Sequence, residues 1–226
     1  MSIQRQTLRE QIETEVMDRV GAGDFTMGTA INEVALSLEL GVSRTPLREA
    51  LISLTQQGVV ERESGKGFRW APISAADFQE MVQIIAALES LAVELTPLED
   101  LAKIAPRLLT EAQAFTESTS SAGEIDRRDD EFHALLISAC PNQRLLENIA
   151  SLKLALRRYE RLLVGSADLI ERVATEHEEL AARLLEGDVP GAIAALKANW
   201  NNGTERLFHA VESKTPGKTA GGRSAG

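Results

Sequence analysis

The residues best suited to chemistry lie in one short stretch, Gly-Val-Ser-Arg-Thr-Pro-Leu-Arg-Glu-Ala-Leu at 41–51. Arg44 and Arg48 are four residues apart, so a helix would place both on one exposed face, with Thr45 beside them. The planar guanidinium of arginine can grip a guanine edge or a phosphate at two points, which suits entry into the major groove of DNA. An ordinary amphipathic helix with a solvated basic face fits the same spacing, so the neighbouring elements must decide between the two.

The same stretch predicts a tight turn followed by a helix. Gly41 can adopt the left-handed backbone of such a turn, and Ser43 is expected to cap the helix by accepting a hydrogen bond from a backbone N–H. Pro46 is tolerated because it falls in the first turn. Apolar residues at helical spacing form the predicted buried face: Leu47, Ala50, Leu51 and Leu54.

The flanking residues favour a DNA-reading element. An apolar pattern over 31–40 predicts a short bracing helix, which makes the pair a helix-turn-helix. After Gly58, residues 59–63 and 68–70 predict two strands joined by a glycine-rich tip at 64–67. Lys66 at this tip can reach a phosphate or the minor groove. Together these elements predict a winged helix-turn-helix.

The rest of the chain reads as helices. Pro72 and Ser74 mark a boundary, with Ser74 as a helix cap. Six helices are predicted beyond it, at 75–95, 98–117, 122–139, 143–164, 167–186 and 190–212, and an early one at about 5–20. We therefore expect a mainly α protein with a winged helix-turn-helix domain at 1–73 and an all-helical domain at 74–213. Residues 214–226, rich in glycine, serine, lysine and threonine, predict a disordered tail.

Composition limits the possible functions. The net charge of -10 is spread over both halves, with 8 Lys and Arg against 10 Asp and Glu in residues 1–73 and 16 against 24 in the remainder. A local basic patch must therefore make any DNA contact. This charge distribution favours modest affinity for non-specific DNA and binding of the specific site by two copies of the chain. No apolar run approaches the ~20 residues that span a membrane, and the N-terminus lacks a secretion signal, so we expect a cytoplasmic protein without membrane contact. The single cysteine, Cys140, excludes an internal disulfide and is expected to be packed in the core.

A second group of residues could bind a metal. Asp129 and His133 are four apart on one predicted helix, and His177 lies on a later one. A carboxylate oxygen and two imidazole nitrogens can hold zinc, nickel or manganese. Phe132 beside them can anchor the helix in the core. By spacing alone, a surface ion pair between Asp129 and His133 is the more common explanation of the pattern.

The first stretch resembles a known family. The 41–51 motif, followed by Gly-Val-Val at 58–60 and a Gly-Lys-Gly wing at 65–67, is similar to the DNA-binding half of the GntR family of bacterial transcriptional regulators. The resemblance implies that Ser43, Arg44, Thr45 and Arg48 face operator DNA, with Lys66 and Gly67 in or near the minor groove. Val34 departs from the pattern, since many relatives have a basic or polar residue there.

The helical half resembles the effector domain of the FadR-like (FCD) branch of this family. The similar motifs are Asp-Asp-Glu-Phe-His at 129–133, Glu-His-Glu-Glu-Leu at 176–180 and Gly-Asp at 187–188. The resemblance implies a divalent metal, zinc or nickel, held by an aspartate and three histidines at the floor of an effector cavity. Asp129, His133 and His177 match this set, whereas Asn199 stands in the fourth position, where an amide oxygen is a weaker ligand.

The resemblance also implies a small organic acid as effector and a homodimer on a palindromic operator. Many relatives carry an arginine where this chain has Ile85, so another cation must pair with an acid, and the candidates are Arg157, Arg158 and Arg161; otherwise the effector is less acidic. Trp200, next to Asn199, either lines the cavity or simply packs.

Three functional interpretations follow from the sequence. The favoured one is a dimeric, effector-controlled transcriptional regulator, with repression or activation left open. A metal-dependent hydrolase using the Asp129, His133 and His177 group is disfavoured because no HExxH-type pairing supplies an adjacent base. An architectural DNA-binding protein without a ligand is disfavoured by the length of the helical domain.

Overall fold

The computed structural model describes residues 7–115, 122–160 and 167–214. The N-terminal part contains helices α1 (Leu8–Ala22), α2 (Glu33–Glu39) and α3 (Arg44–Gln56) and the strands β1 (Val60–Glu63) and β2 (Gly67–Trp70). The strands pair antiparallel from Val60 with Trp70 to Glu63 with Gly67. This is the predicted winged helix-turn-helix, with α3 as the recognition helix.

Local sequence explains the helix ends of this part. A reciprocal pair of hydrogen bonds between Thr7 and Glu10 caps α1, and Asn32 caps α2 by accepting from two backbone N–H groups. Gly41 adopts φ 66° directly after α2, as predicted, which lets the chain turn into α3. The apolar faces of α1 and α3 pack together over a core that includes Val16, Leu47, Leu51, Leu54 and Phe68.

The prediction that Ser43 caps α3 is correct in position but wrong about the hydrogen bond. Ser43 occupies the N-cap position of α3 with extended backbone, but its side chain makes no capping hydrogen bond. Elsewhere in the chain, the cap hydroxyls of Thr7 and Ser74 accept from the N–H three residues later. Three residues after Ser43 stands Pro46, which has no N–H to donate. The Ser43 hydroxyl is consequently exposed and uncommitted to the helix.

The wing has a third backbone segment that the sequence did not indicate. Residues 28–31 run along β2, where Ile31 N–H donates to the Phe68 carbonyl and Trp70 N–H donates to the Thr29 carbonyl. Trp70 also stacks on Phe25, with ring centres 4.1 Å apart. These contacts tie the wing to the loop before α2, so the wing and the helix-turn-helix form one body.

Six helices follow, as predicted: α4 (Ala75–Leu95), α5 (Leu98–Ala114), α6 (Ala122–Ile137), α7 (Gln143–Glu160), α8 (Ala167–Leu185) and α9 (Val189–Lys214). Their core contains Cys140, packed as expected, together with large apolar residues such as Ile85, Leu108, Phe132 and Leu180. The predicted helix ends at 116–117 and 161–164, and the predicted tail from 215 onwards, lie outside the described residues. None of the described helices combines the length and apolar character needed to cross a membrane.

The two parts of the chain meet along α7. Leu154 of α7 packs against the N-terminal core, and Tyr159 is buried in the helical core. The Arg158 guanidinium donates to the carbonyl of Gly58, at 2.6 Å, just beyond the end of the recognition helix. It also donates to Asp77 of α4 and to the Tyr159 hydroxyl. One buried arginine therefore connects the recognition helix to two helices of the second part.

Candidate functional site

The predicted DNA-contact residues lie on one side of the recognition helix and at the wing tip. Ser43, Arg44 and Thr45 are exposed at the start of α3. Arg48, one turn further, donates from Nη1 to both carboxylate oxygens of Glu33, at 3.0 and 3.2 Å. Its guanidinium carbon lies 5.5 Å from the centre of the Phe68 ring. Arg48 is thus held in a fixed direction between α2 and the wing.

The wing tip approaches the same carboxylate. A Cβ added at Gly67 would lie 3.4 Å from Glu33 Oε1, so glycine lets the wing pass close to α2. The Lys66 side chain is 77% exposed and lies 3.7 Å from Glu63 Oε2, a weak contact that a phosphate can replace. Arg69 differs, because its Nε donates to Glu61 at 2.7 Å and it also pairs with Glu63. Lys66 is therefore the more available of these two wing cations.

The three residues proposed as metal ligands meet in the helical core. Asp129 and His133 of α6 and His177 of α8 offer ligand atoms that all lie within 4.8 Å of one another. His177 Nε2 lies 3.3 Å from Asp129 Oδ1, and His133 Nε2 lies 4.0 Å from Asp129 Oδ2. Both histidine rings are buried. We call these three residues the Asp-His-His cluster. Since His133 is buried and only Asp129, at 33% exposure, reaches the surface, the pair is not an ordinary surface ion pair.

The protonation of His177 fits a metal ion. Burial lowers the pKa of His177, which favours the neutral imidazole that ligates metals. Burial alone would raise the pKa of Asp129, but the close approach of His177 and the charge of His133 outweigh it and hold this pKa well below its usual range. Neither ring nitrogen of His177 makes a hydrogen bond of good geometry with a described residue. A metal ion would satisfy one of these buried atoms.

Glu89 of α4 orients the cluster from behind. It is fully buried, and its Oε2 accepts from Trp200 Nε1 at 2.8 Å and lies 2.7 Å from His133 Nδ1. Burial opposes its ionisation, but the charges of His133 and Lys153 outweigh burial and lower its pKa. Burial alone would lower the pKa of His133, but the charges of Glu89 and Asp129 outweigh it and raise this pKa. An ionised Glu89 accepts from the His133 Nδ1–H, and a metal ion would have to displace the proton from Nε2, which faces Asp129. Sequence reasoning missed this role, although an acidic residue on the apolar face of α4 was the available signal.

Phe132, Asn199 and Trp200 complete the surroundings. Phe132 stacks on the His177 ring, with centres 3.8 Å apart. Asn199 is buried, and its Nδ2 donates to Glu176 Oε2 at 2.8 Å, while Asn202 donates to the other oxygen of Glu176. Trp200 does more than pack, because it donates to Glu89 and lies 4.8 Å from the His133 ring.

Neither of the two expected arginines that the structure describes, Arg157 and Arg158, is the cation beside the cluster. Ile85 is buried in the apolar core, and Arg157 lies 3.7 Å from Asp18 of α1, at the junction with the N-terminal part. Arg158 contacts Gly58 and Asp77 where the two parts of the chain meet. Arg161 lies outside the described residues. Lys153 of α7 instead approaches the site, with Nζ 3.7 Å from Glu89 Oε1. Its signal in the sequence is a lysine inside the apolar run 152–156.

A winged helix-turn-helix joined to a six-helix domain with a buried polar site defines a class of bacterial transcriptional regulators. Residues 8–69 match the family described as bacterial regulatory proteins, gntR family, and residues 80–202 match the FCD domain. The chain belongs to the gntR family, in the group that carries an FCD domain. It is a DNA-binding transcriptional regulator and not an enzyme.

Named relatives agree with this assignment. The chain is 29% identical over 206 residues to the uncharacterized HTH-type transcriptional regulator YdhC of Bacillus subtilis, covering 89% of this chain and 92% of the relative. It is 26% identical over 190 residues to a probable D-xylose utilization operon transcriptional repressor of Paenarthrobacter nicotinovorans, covering 81% of each. The fold resembles that of E. coli McbR/YncC, with a TM-score of 0.72 at 21% identity over 92% of this chain and 100% of that one.

Proposed function

We propose that the protein is a homodimeric repressor whose grip on a palindromic operator is controlled by a small organic acid bound in the helical domain. Contacts to the operator come from Ser43, Arg44, Thr45, Arg48, Lys66 and Gly67. The observation that carries the proposal is the position of α7. Lys153 of this helix contacts Glu89, the residue behind the Asp-His-His cluster, and Arg158 of the same helix donates to the Gly58 carbonyl at the end of the recognition helix. The relative named as a D-xylose utilization operon repressor supports repression.

Coupling between the effector site and the DNA-binding surface requires a structural element that can adopt two arrangements. Arg158 is the connection, because it joins the Gly58 carbonyl to Asp77 at the base of α4. The junction borders a groove of about 790 Å³, which leaves space for the angle between the two parts to change. An effector that binds the two arrangements unequally shifts operator affinity by the same free energy, typically 1–3 kcal/mol.

An apolar surface on α4 and α5 supports the homodimer. Four large apolar side chains are between 40% and 68% exposed there: Ile84, Leu91, Leu95 and Leu98. The three on α4 follow spacings of seven and four, which place them along one side of the helix. A second copy covering this surface by twofold symmetry would present two recognition helices, and therefore read a palindrome.

Charge placed on this surface is expected to separate the dimer. The double variant Ile84→Asp/Leu91→Glu should sediment as a monomer and bind operator at least about tenfold more weakly, because each half-site is then gripped alone. Leu185→Glu is the matched control, since Leu185 is similarly exposed on α8. A double variant that remains a dimer contradicts this choice of interface.

The metal is proposed at the Asp-His-His cluster, with Asn199 as a weak fourth ligand through its amide oxygen. Two nitrogens and a carboxylate suit zinc or nickel. When bound, such an ion supplies a positive charge that a carboxylate of the effector can approach. Trp200 and Asn199 are placed to border the effector, since Trp200 packs against His133 and Asn199 lies beside it in sequence.

Removing the Arg158 guanidinium is expected to weaken both stability and coupling. Arg158→Met deletes hydrogen bonds from a charged group to Gly58, Asp77 and Tyr159. Each contributes roughly 1.5–3 kcal/mol, so the free energy of unfolding should fall by at least about 3 kcal/mol. The difference between operator affinities measured with and without zinc should also shrink. Arg157→Met removes the same charge from the neighbouring residue and is expected to change neither the free energy of unfolding nor the coupling. Urea unfolding and operator titrations measure both effects, and wild-type coupling in Arg158→Met would exclude this route.

The proposal as a whole is tested by selecting bound sequences from a random duplex DNA library with the purified full chain. We expect an inverted repeat to be enriched, with symmetric protection of both halves in footprinting. Enrichment of a single unrepeated site would contradict a twofold dimer on a palindrome.

A further inference from the structure

Lys153 is a charged residue that the metal cluster itself does not use. Its side chain is only 16% exposed and lies between two carboxylates, with Nζ 3.7 Å from Glu89 Oε1 and 3.0 Å from Asp130 Oδ1. It also lies 5.6 Å from the centre of the Trp200 ring. The ammonium group thus stands beside the Asp-His-His cluster at its more open side, where Asp130 reaches solvent.

The two carboxylate partners of Lys153 differ in freedom. Glu89 is fully buried and fixed by His133 and Trp200, so it cannot leave. The Asp130 side chain is 40% exposed, and Lys153 is its ionic partner within the described part of the chain. An ion pair with one such exposed member is weak, because water solvates the carboxylate almost as well. Asp130 can therefore swing into water at little cost.

The charge balance of the site explains why one carboxylate must move away when an anionic effector binds. Glu89, Asp129 and Asp130 carry three negative charges, and a divalent ion together with Lys153 carries three positive ones. A further anion in this buried place requires that one of the three carboxylates withdraw. Asp130 is the one of the three that is not locked in place, and it already sits where an incoming anion would meet the ammonium group.

Building on the proposed function, we propose that Lys153 receives a carboxylate of the effector and that Asp130 occupies this position until the effector arrives. Lys153 thereby supplies, from α7, the cation that the family resemblance led us to expect in place of Ile85 on α4. When the effector binds, its carboxylate replaces that of Asp130 as the ionic partner of Lys153. Lys153 lies on α7, the helix that also contacts the end of the recognition helix.

Opposite effects of two single substitutions test the exchange. Calorimetry with succinate on the full chain, both zinc-loaded and zinc-free, measures binding, with succinamide as the uncharged analogue and inorganic phosphate as another anion. Lys153→Met is expected to weaken succinate binding at least about tenfold, whereas Lys153→Arg keeps the charge and most of the affinity. Asp130→Asn removes the competing carboxylate and is expected to tighten succinate binding about threefold or more.

The direction of the Asp130→Asn effect separates exchange from a structural role, since loss of a merely structural ion pair would not tighten binding. Unchanged or weaker binding in Asp130→Asn, wild-type binding in Lys153→Met, or no binding of succinate to the wild-type protein would each overturn the proposal. Binding of succinamide or phosphate as tight as that of succinate would overturn the choice of a carboxylate. Operator affinity, titrated separately without these compounds, shows whether the proposed regulator function itself fails.

Discussion

Replacing Arg48 by alanine is expected to lower operator affinity at least about a hundredfold while leaving the fold intact. A bidentate contact between arginine and a guanine edge contributes roughly 1–3 kcal/mol to discrimination, and a dimer loses two of them. Arg48 is half-exposed, so its removal opens no core cavity. Fluorescence anisotropy with a specific duplex and a random duplex measures the loss.

The contact with Glu33 makes the effect larger. Without Arg48, the Glu33 carboxylate is left close to the wing at Gly67, where it would repel nearby phosphates. Arg48→Lys keeps the charge but not the two-point grip, so an intermediate affinity is expected. Glu33→Gln tests the repulsion separately, because the double variant with Arg48→Ala should regain part of the affinity. Wild-type affinity for the specific duplex in Arg48→Ala would refute the assignment of the recognition helix.

Features encoded within a few neighbouring residues were predictable from the sequence. The turn at Gly41, the wing and the six helices beyond Ser74 follow from glycine, proline and apolar spacing, each of which acts over less than ten residues. The predicted capping hydrogen bond of Ser43 was wrong for an equally local reason, because Pro46, three residues later, has no backbone N–H to donate. The segment 28–31 was missed because its pairing with β2 depends on the tertiary fold and not on its own pattern.

The candidate site was predictable only in part. Asp129, His133 and His177 were proposed from residue type and spacing and supported by resemblance, and the structure brings them together. Glu89 and Lys153 were missed because the first contacts His133 across 44 positions of sequence and the second contacts Glu89 from another helix. Helical periodicity shows which face of each helix is buried, but not which buried faces meet.

The largest gain in metal binding is expected from Asn199→His. Elemental analysis of protein purified without a histidine tag should find zinc or nickel bound to the wild type through the Asp-His-His cluster. His177→Phe should abolish it, and the phenyl ring fits because Phe132 and Phe115 already pack against this position. Asn199→His would supply a third imidazole as the fourth ligand beside the cluster, so metal affinity should rise at least about tenfold, the scale on which ligand surroundings act.

Asn202→His is the control that isolates position 199. Asn199 and Asn202 each donate to one oxygen of Glu176, so either substitution removes one hydrogen bond from the same carboxylate. Glu176 keeps its other amide partner in both variants, and the cost in stability should therefore be similar. Because only position 199 matches the fourth ligand of relatives, competition titrations with a chelator should show tighter zinc binding in Asn199→His alone. Equal gains in both variants would mean that an added imidazole near Glu176 binds metal outside the Asp-His-His cluster, and no gain in either would mean that α9 does not bring position 199 within reach of the ion.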